Sequence, residues 1–486
     1  MPAAISASTR RASPPTRCAD RSSFNGPAST GPFRHALSLM STAPLHHSPS
    51  YPALIRFAIP VACAGMATPL MGLVDIAVLG RLGDPAVIAA AGIGATIFTV
   101  IYWCFSFLRF TTTGLVAQAA GSHDEDEVVL AGLRPMLAAV AGGLLLWLLQ
   151  WPIGLVAMKL LSPPAEVAPL AEAYFDARIW SAPFTLLGYA QFAWLMGLGK
   201  SRTVMILQIA MNALNAALAI LFVLGFGWGI AGAAWATVAS EAVIGVATSL
   251  LILRLMPLER WKAAFSRAFV SHAWRRLFSA NVDIMIRTLL LTGAFALMTE
   301  RGAQMGTLEL AANQILLQAF MLCANLLDGF AIAAEVFGAR AIGAGARDSL
   351  IATVRRAAWL SLAWSVVLAA TLAVLAPVYL PLMSADVSLQ REALRFWPWL
   401  TIMPLVCIWA FFWDGVFMGA VATRTIRNAM IASFIVYVPV LFGLSKLFGN
   451  HGVWAAMAVL MVMRSVMLTL AWPKLRDGVG TSPQPH

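Results

Sequence analysis

The sequence predicts an all-α membrane protein: twelve transmembrane helices in two pseudo-symmetric six-helix bundles. Three observations carry that prediction. Apolar runs of spanning length recur along nearly the whole chain, charge is scarce, and the second half repeats features of the first at a fixed offset. Of the 486 residues, 60% are hydrophobic and only 11% are charged, whereas a soluble domain carries about 25% charged residues. The mean hydropathy is +0.79. An apolar run of at least ~18 residues crosses ~30 Å of hydrocarbon as a helix. Helix is the expected form because every backbone amide in lipid needs an internal partner, and the alternation of barrel strands is absent.

Taken in order, residues 1–50 differ from the rest, being rich in Ser, Pro, Ala and Arg (Arg10, Arg11, Arg17, Arg21, Arg34) with no apolar core. This is not a secretory signal, which needs an apolar h-region. It reads as a disordered tail or a start placed too early, with Met40 as the alternative start; an Arg- and Ser-rich transit peptide is the competing reading. The first bundle, 51–256, holds spans near 54–80, 87–118, 128–161, 168–197, 201–226 and 230–256. A cytoplasmic linker, 257–274, follows within the longest basic connection, Arg254 to Arg276. The second bundle, 275–475, holds spans near 275–300, 308–340, 349–383, 388–419, 423–448 and 452–474, and a short tail, 476–486, ends the chain. Several spans exceed ~25 residues, which predicts tilt, kinks or ends that project into water.

The repeat rests on several matches. Met196-Gly197 with Arg202-Thr203 returns as Met418-Gly419 with Arg424-Thr425 at an offset of 222, as Ala89-Ala90 returns as Ala311-Ala312. Leu82-Gly83 and Met305-Gly306, and Gly229-Ile230 and Gly452-Val453, lie 223 apart. Six spans per unit is an even number, so the halves share orientation and enclose a cavity about an axis along the membrane normal. With the N-terminus inside, the inner connections carry fourteen Lys and Arg residues against five in the outer ones, which places both termini in the cytoplasm of a multi-pass plasma (inner) membrane protein. One acidic connection, His123 to Glu127, runs against the bias.

The net charge of +11 would suggest nucleic acid in a soluble protein, but these residues sit in connections and serve topology. Five scattered cysteines without a Cys-x-x-Cys pair exclude a disulfide framework and a zinc site. No phosphate-binding Gly-x-x-x-x-Gly-Lys-Ser/Thr loop and no His-Glu-x-x-His occurs, so neither ATP nor metal hydrolysis drives this chain and an ion gradient remains. No cofactor is expected, and the chain is read as a non-enzyme. Its partners are small molecules and the bilayer, not nucleic acid, and it is read as a monomer.

A carboxylate within hydrocarbon costs at least ~2.5–3.5 kcal/mol, so each one needs a reason. Asp75, in Pro69-Leu-Met-Gly-Leu-Val-Asp75-Ile-Ala-Val-Leu-Gly80, has no basic residue within one turn. Such a group can load and release a proton as a cavity changes hydration; a structural acid bonded to a neighbouring helix is the bland alternative. Asp283 and Arg287, following Asn281, stand four apart on one helical face and are spaced to pair. That pair either shields two charges or takes part in coupling. Gln314, Gln318, Asn325 and Asp328, with Glu335 beyond, form a polar stripe on one apolar span, and Asn313 falls off it. Such a stripe lines a cavity or packs helices. Asp414 sits among aromatics in Phe411-Phe-Trp-Asp414-Gly. Glu241 and Arg464 occupy matching positions 223 apart, either locking the halves together or lying at the water interface.

At Gly72-Leu-Val-Asp75-Ile-Ala-Val-Leu-Gly80-Arg-Leu-Gly83 the sequence resembles the multidrug and toxic compound extrusion family, in its DNA-damage-inducible protein F-like branch. Phe107-Leu-Arg109-Phe-Thr-Thr-Thr-Gly114-Leu-Val-Ala-Gln118, Asn281-Val-Asp283-Ile-Met-Ile-Arg287, Leu327-Asp328-Gly-Phe-Ala331 and Trp413-Asp414-Gly-Val-Phe-Met-Gly-Ala420 are similar to that branch, in order, over roughly 52–475. The resemblance implies twelve helices and export of organic, often cationic, compounds in exchange for protons or sodium ions. It implies that Asp75 is the first-helix coupling carboxylate, accompanied by Asn215 and Thr237. Relatives with a sodium site carry an acid where this chain has Ala219 and an asparagine where it has Gly188. Losing oxygen ligands disfavours sodium, so the expectation is proton coupling at Asp75 with Asp283, Asp328 or Asp414 assisting. Asn281, Arg287, Gln318, Asn325 and Glu335 are then supporting or cavity-lining groups. The alternative is a flippase for a lipid-linked precursor, served by Arg109 and Arg287, although the acids favour cationic cargo. A membrane transferase would need catalytic groups that the short outer connections lack.

Overall fold

A computed structural model describes residues 48–480 of the chain. The expected tail and alternative start at Met40, and residues 481–486, lie outside the described residues. Within them the elements are helices, with no strand. The first span is α1 (Tyr51–Gly80). The second is split into α2 (Pro85–Trp103) and α3 (Phe107–Gly121), and the third into α4 (Glu125–Leu148) and α5 (Gln150–Leu161). The fourth is α6 (Ala168–Arg178), a 3-10 turn (Ile179–Ser181) and α7 (Ala182–Gly197). Then come α8 (Ser201–Ala219) running into a π turn, α9 (Gly229–Leu255) and α10 (Leu258–Arg267). The second half is α11 (Ser271–Met305), α12 (Thr307–Gly343), α13 (Arg347–Met383), α14 (Val387–Gly419), α15 (Thr423–Phe448) and α16 (Asn450–Gly478).

Ten of these segments are individually long and apolar enough to cross a membrane among the described residues. The other two spans are α1, whose first part is apolar, and the broken α6–α7 pair. The halves break differently. All three chain breaks inside spans fall in the first half, whereas α13 to α16 stay continuous through Pro377, Pro381, Pro398, Pro404, Pro439 and Pro473. Proline removes one backbone bond, and in a bundle neighbouring groups can re-satisfy it.

Short side chains start the helices at the membrane edges. Asp84, before Pro85, accepts the Ala86 N–H at 2.8 Å, and Asp124 accepts the Glu127 N–H at 2.8 Å, satisfying donors that a helix start leaves unpaired. The acidic run from Asp124 to Glu127, which ran against the charge bias, is therefore a helix N-terminus, where negative charge is favourable. It has a second use. The linker contains the amphipathic helix α10, whose Arg260 pairs with Glu125 and whose Arg267 lies 3.6 Å from Asp126. Trp261 of α10 meets Trp194 of α7 at 6.2 Å between ring centroids. The basic linker is thus docked onto the first bundle rather than strung loosely between bundles.

The spans alternate in direction, so the first and last described helical ends, Tyr51 and Gly478, lie on one side. The two halves touch closely on that side. Gln118 of α3 donates to the Gly419 carbonyl at 2.7 Å, and Arg340 of α12 donates to the Gly197 carbonyl at 3.2 Å. A Cβ on Gly121 would collide with the Arg340 carbonyl, and one on Gly343 with the Gln118 carbonyl. Glycine at both positions lets α3 and α12 approach backbone to backbone. A continuous apolar core joins Leu54, Phe57 and Phe107 of the first half to Phe330, Phe412 and Phe417 of the second.

Candidate functional site

Above that closed end lies a cavity of about 530 Å³, within the range of small-molecule sites. It is walled by α1, α2, α3, α6, α7, α8 and α9 of the first half, and α12 of the second closes it. Aromatic rings of Tyr102, Phe110, Phe184, Tyr189 and Phe192 make up much of the wall.

Asp75 sits one turn beyond the cavity-lining Met71 on α1 and is half-buried. Its partner across the bundle is Asn215, which is fully buried. The amide orientation that satisfies both sides has Asn215 Nδ2 donating to Asp75 Oδ1 at 3.2 Å and its Oδ1 accepting from the Thr237 hydroxyl at 3.0 Å and backbone N–H at 3.3 Å. Asp75 enters no ion pair among the described residues, and Arg178 acts on it only through space. The three residues implied by resemblance thus stand together, with neutral neighbours around one carboxyl.

Arg178 is the main feature that reading the sequence missed. It is buried at the break between α6 and α7, bonded to Glu241 at 3.0 Å and to the Ser181 hydroxyl, and stacked 5.5 Å from the centroid of Phe98. Thr185 donates to Glu241, and Tyr102 and Ser181 share a hydrogen bond at 3.1 Å. The signal was present, a single Arg within an apolar run, but its partner Glu241 is 63 residues away. Glu241 and Arg464 accordingly do not lock the halves together. Each is paired within its own half, Glu241 with Arg178 and Arg464 with Asp414.

The second half repeats the device with polarity reversed. Asp414 of α14 accepts through Oδ2 from Arg464 of α16 at 2.5 Å and from Arg287 of α11. The expected Asp283–Arg287 pair is not formed. Asp283 instead accepts from Arg427 at 2.6 Å and from the Thr423 hydroxyl at 2.8 Å. The i,i+4 spacing allows a contact, but each side chain finds a shorter-reaching partner on a neighbouring helix.

The polar stripe of α12 divides. Asn325, Asp328 and Glu335 line the cavity, whereas Gln314 and Gln318 are exposed away from it. Asn313 is buried, bonded to Asn450 at 2.8 Å and accepting from the Trp454 ring N–H at 2.9 Å. Asn281 is half-buried with its amide oxygen unpartnered. Among the described residues no group of three or more His, Cys, Asp or Glu could hold a metal ion.

The MatE family model matches residues 60–221 and 284–442, one block in each half. The chain is 32% identical over 429 residues to DNA damage-inducible protein F of Escherichia coli (strain K12), covering 86% of this chain and 91% of that protein. It is 26% identical over 460 residues to the probable multidrug resistance protein NorM of Rhizobium meliloti (strain 1021), covering 89% and 95%. Its fold matches a crystal structure of MATE in the bent conformation with a TM-score of 0.80 at 18% identity, covering 92% of this chain and 99% of that one. Two matched blocks in two six-span halves, with identity above 30% along most of the chain, make this protein a multi-pass membrane transporter of the MatE, or multidrug and toxic compound extrusion, family.

Proposed function

We propose that the chain is a secondary antiporter that exports small organic compounds, cationic or amphipathic, in exchange for protons, and that Asp75 carries the coupling proton. One observation carries this reading: Asp75 is a membrane carboxyl beside the cavity whose hydrogen-bond partner is the neutral Asn215, itself held by Thr237, rather than an arginine. It can change charge without leaving a guanidinium unpaired. Asp283 and Asp414 cannot, since each holds an arginine, so we assign them structural roles and leave assistance to Asp328 and Glu335. Sodium is the less favoured ion because hard cations need several oxygens, while Asn215 turns a donor toward Asp75.

The cycle we propose uses this geometry. With the halves closed on the termini side, a proton from the opposite side reaches Asp75 and neutralises it, loosening the contact with Asn215. Re-closure on the other side then exposes the cavity and Asp75 to the compartment that supplies cargo. We read that compartment as the cytoplasm and the membrane as the inner membrane, a reading supported by the excess of Lys and Arg in the connections on the termini side. Of the two arginines on which the flippase alternative rested, Arg287 is taken by Asp414, and Arg109 lines the cavity together with the acids Asp328 and Glu335, which favour a cationic cargo. In proteoliposomes loaded with ethidium, a monocation, transport should follow an imposed pH gradient and persist without sodium. Transport that follows a sodium gradient and ignores pH would overturn the reading.

A further inference from the structure

The connection between the two bundles shows an apolar side to its surroundings. α10 runs through it for ten residues, too short to span, between α9 and α11 on the termini side. Its basic residues Arg260 and Arg267 are directed at Glu125 and Asp126, at the start of α4. Ala264 and Ala268 are buried, and the Trp274 ring N–H donates to the Ala268 carbonyl at 2.9 Å, which fixes the turn that follows. With that side held, Leu258, Phe265, Phe269 and Val270 face outward. Each is between 51% and 63% exposed, and the rings of Phe265 and Phe269 lie 5.6 Å apart. An amphipathic helix on a surface in water turns its apolar side to the core; this one presents a row of large apolar side chains away from it. A contiguous exposed apolar row marks a membrane or partner surface.

Charge decides between those two. Lys262 stands four residues after Leu258 and three before Phe265, on the same side of the helix. Lys262, Arg254 at the end of α9 and Arg275 early in α11 are exposed, and none enters an ion pair among the described residues. Glu259 is the sole acid in 254–276, so three unpaired cations face one acid. We infer that α10 is a membrane-surface element of the termini-side leaflet: Leu258, Phe265, Phe269 and Val270 enter the boundary between acyl chains and headgroups, and Lys262, with Arg254 and Arg275, binds the phosphates of anionic phospholipid. Interfacial helices lie in the membrane plane with their apolar side ~5–10 Å deep. A lysine stem runs along apolar surface while its ammonium reaches the headgroups, which suits Lys262 between Leu258 and Phe265. A second copy of the chain fits this face less well, because a two-fold contact sets the same patch against itself and would bring Lys262 and its basic neighbours against their like. The inference concerns the connection alone and depends neither on Asp75 nor on the cargo.

The test is hydrogen–deuterium exchange of the full chain in nanodiscs holding one copy each, one set made of phosphatidylcholine alone and the other containing phosphatidylglycerol. Amides of 258–270 should exchange at least about five-fold more slowly in the second set, the worth of one Lys near an anionic surface. Lys262→Gln should lose most of that difference, and high salt should remove it. Phe265→Ser should speed exchange in both sets. Both side chains are exposed, so neither variant threatens the fold. Equal exchange in the two sets, the full difference in Lys262→Gln, or unchanged exchange in Phe265→Ser would overturn the inference. So would equal slowing by inorganic phosphate in phosphatidylcholine discs, the sign of a free-anion site, or slowing that requires two copies per disc, the sign of an interface between chains.

Discussion

Replacing Asp414 with Asn should destabilise the protein strongly, and the reason can be worked from the cluster around it. Two guanidiniums, Arg287 and Arg464, bond the same oxygen, Oδ2. The Arg464 side chain is 3% exposed and that of Asp414 is 9% exposed. Neutralising the acid leaves two positive charges facing each other in a dry interior. Removing one partner of a buried pair costs about 3–5 kcal/mol, and two stranded cations place this case at the upper end. Arg287→Gln, by contrast, leaves a neutral Asp414–Arg464 pair and removes a more exposed side chain, so its cost should be about 1–2 kcal/mol. Thermal unfolding of the purified protein in detergent should show a fall of about 5 °C for Asp414→Asn and about 1–2 °C for Arg287→Gln. The reasoning is refuted if the two variants melt together, or if Asp414→Asn melts with the unaltered protein.

Other outcomes follow from the same geometry. Gly121→Val puts a side chain into the Arg340 carbonyl, so the closed termini-side contact between α3 and α12 should open; a cysteine placed at Gln118 should become at least several-fold more reactive to a water-soluble maleimide in that background. Thr237→Val removes the hydroxyl that holds the Asn215 amide at a cost of about 1 kcal/mol, and ethidium efflux should fall while the protein still folds; full efflux would separate this network from coupling. On the surface, Asp477 joins α16 to Arg347 at the start of α13, and its bonds to Arg476 and Arg347 hold its carboxyl below the ordinary range. That sign means the clasp is complete above pH ~4 and is lost as pH falls further, so Asp477→Asn should remove an acid-range change in proteolysis at the C-terminal end of α16 and leave neutral-pH efflux unaltered.

How much of this was legible follows from the range of each interaction. Spans were readable because hydrophobicity is local: the expected 423–448 coincides with α15. The repeat at 222–223 was readable because duplication leaves matched dipeptides. Asp75 stood out because a lone acid in an apolar run needs a reason. What could not be read were partners set by packing. Asp283 and Arg287 are four apart in sequence yet bond Arg427 and Asp414, 144 and 127 residues away. The break at Cys104 to Ser106 was hidden because Phe105 and its neighbours keep the run apolar through the turn. Half of the polar stripe misled for a similar reason. A 37-residue helix outruns the cavity, so Gln314 and Gln318 share the register of Asn325 and Asp328 but lie beyond the cavity wall.

Proton movement driven by cargo tests the central claim most directly. With no imposed gradient, ethidium added to proteoliposomes that trap a pH-sensitive dye should drive a proton flux opposite to its own movement in the unaltered protein. Asp75→Asn should bind ethidium but move no protons. A cargo-driven flux in Asp75→Asn equal to that of the unaltered chain would contradict the account.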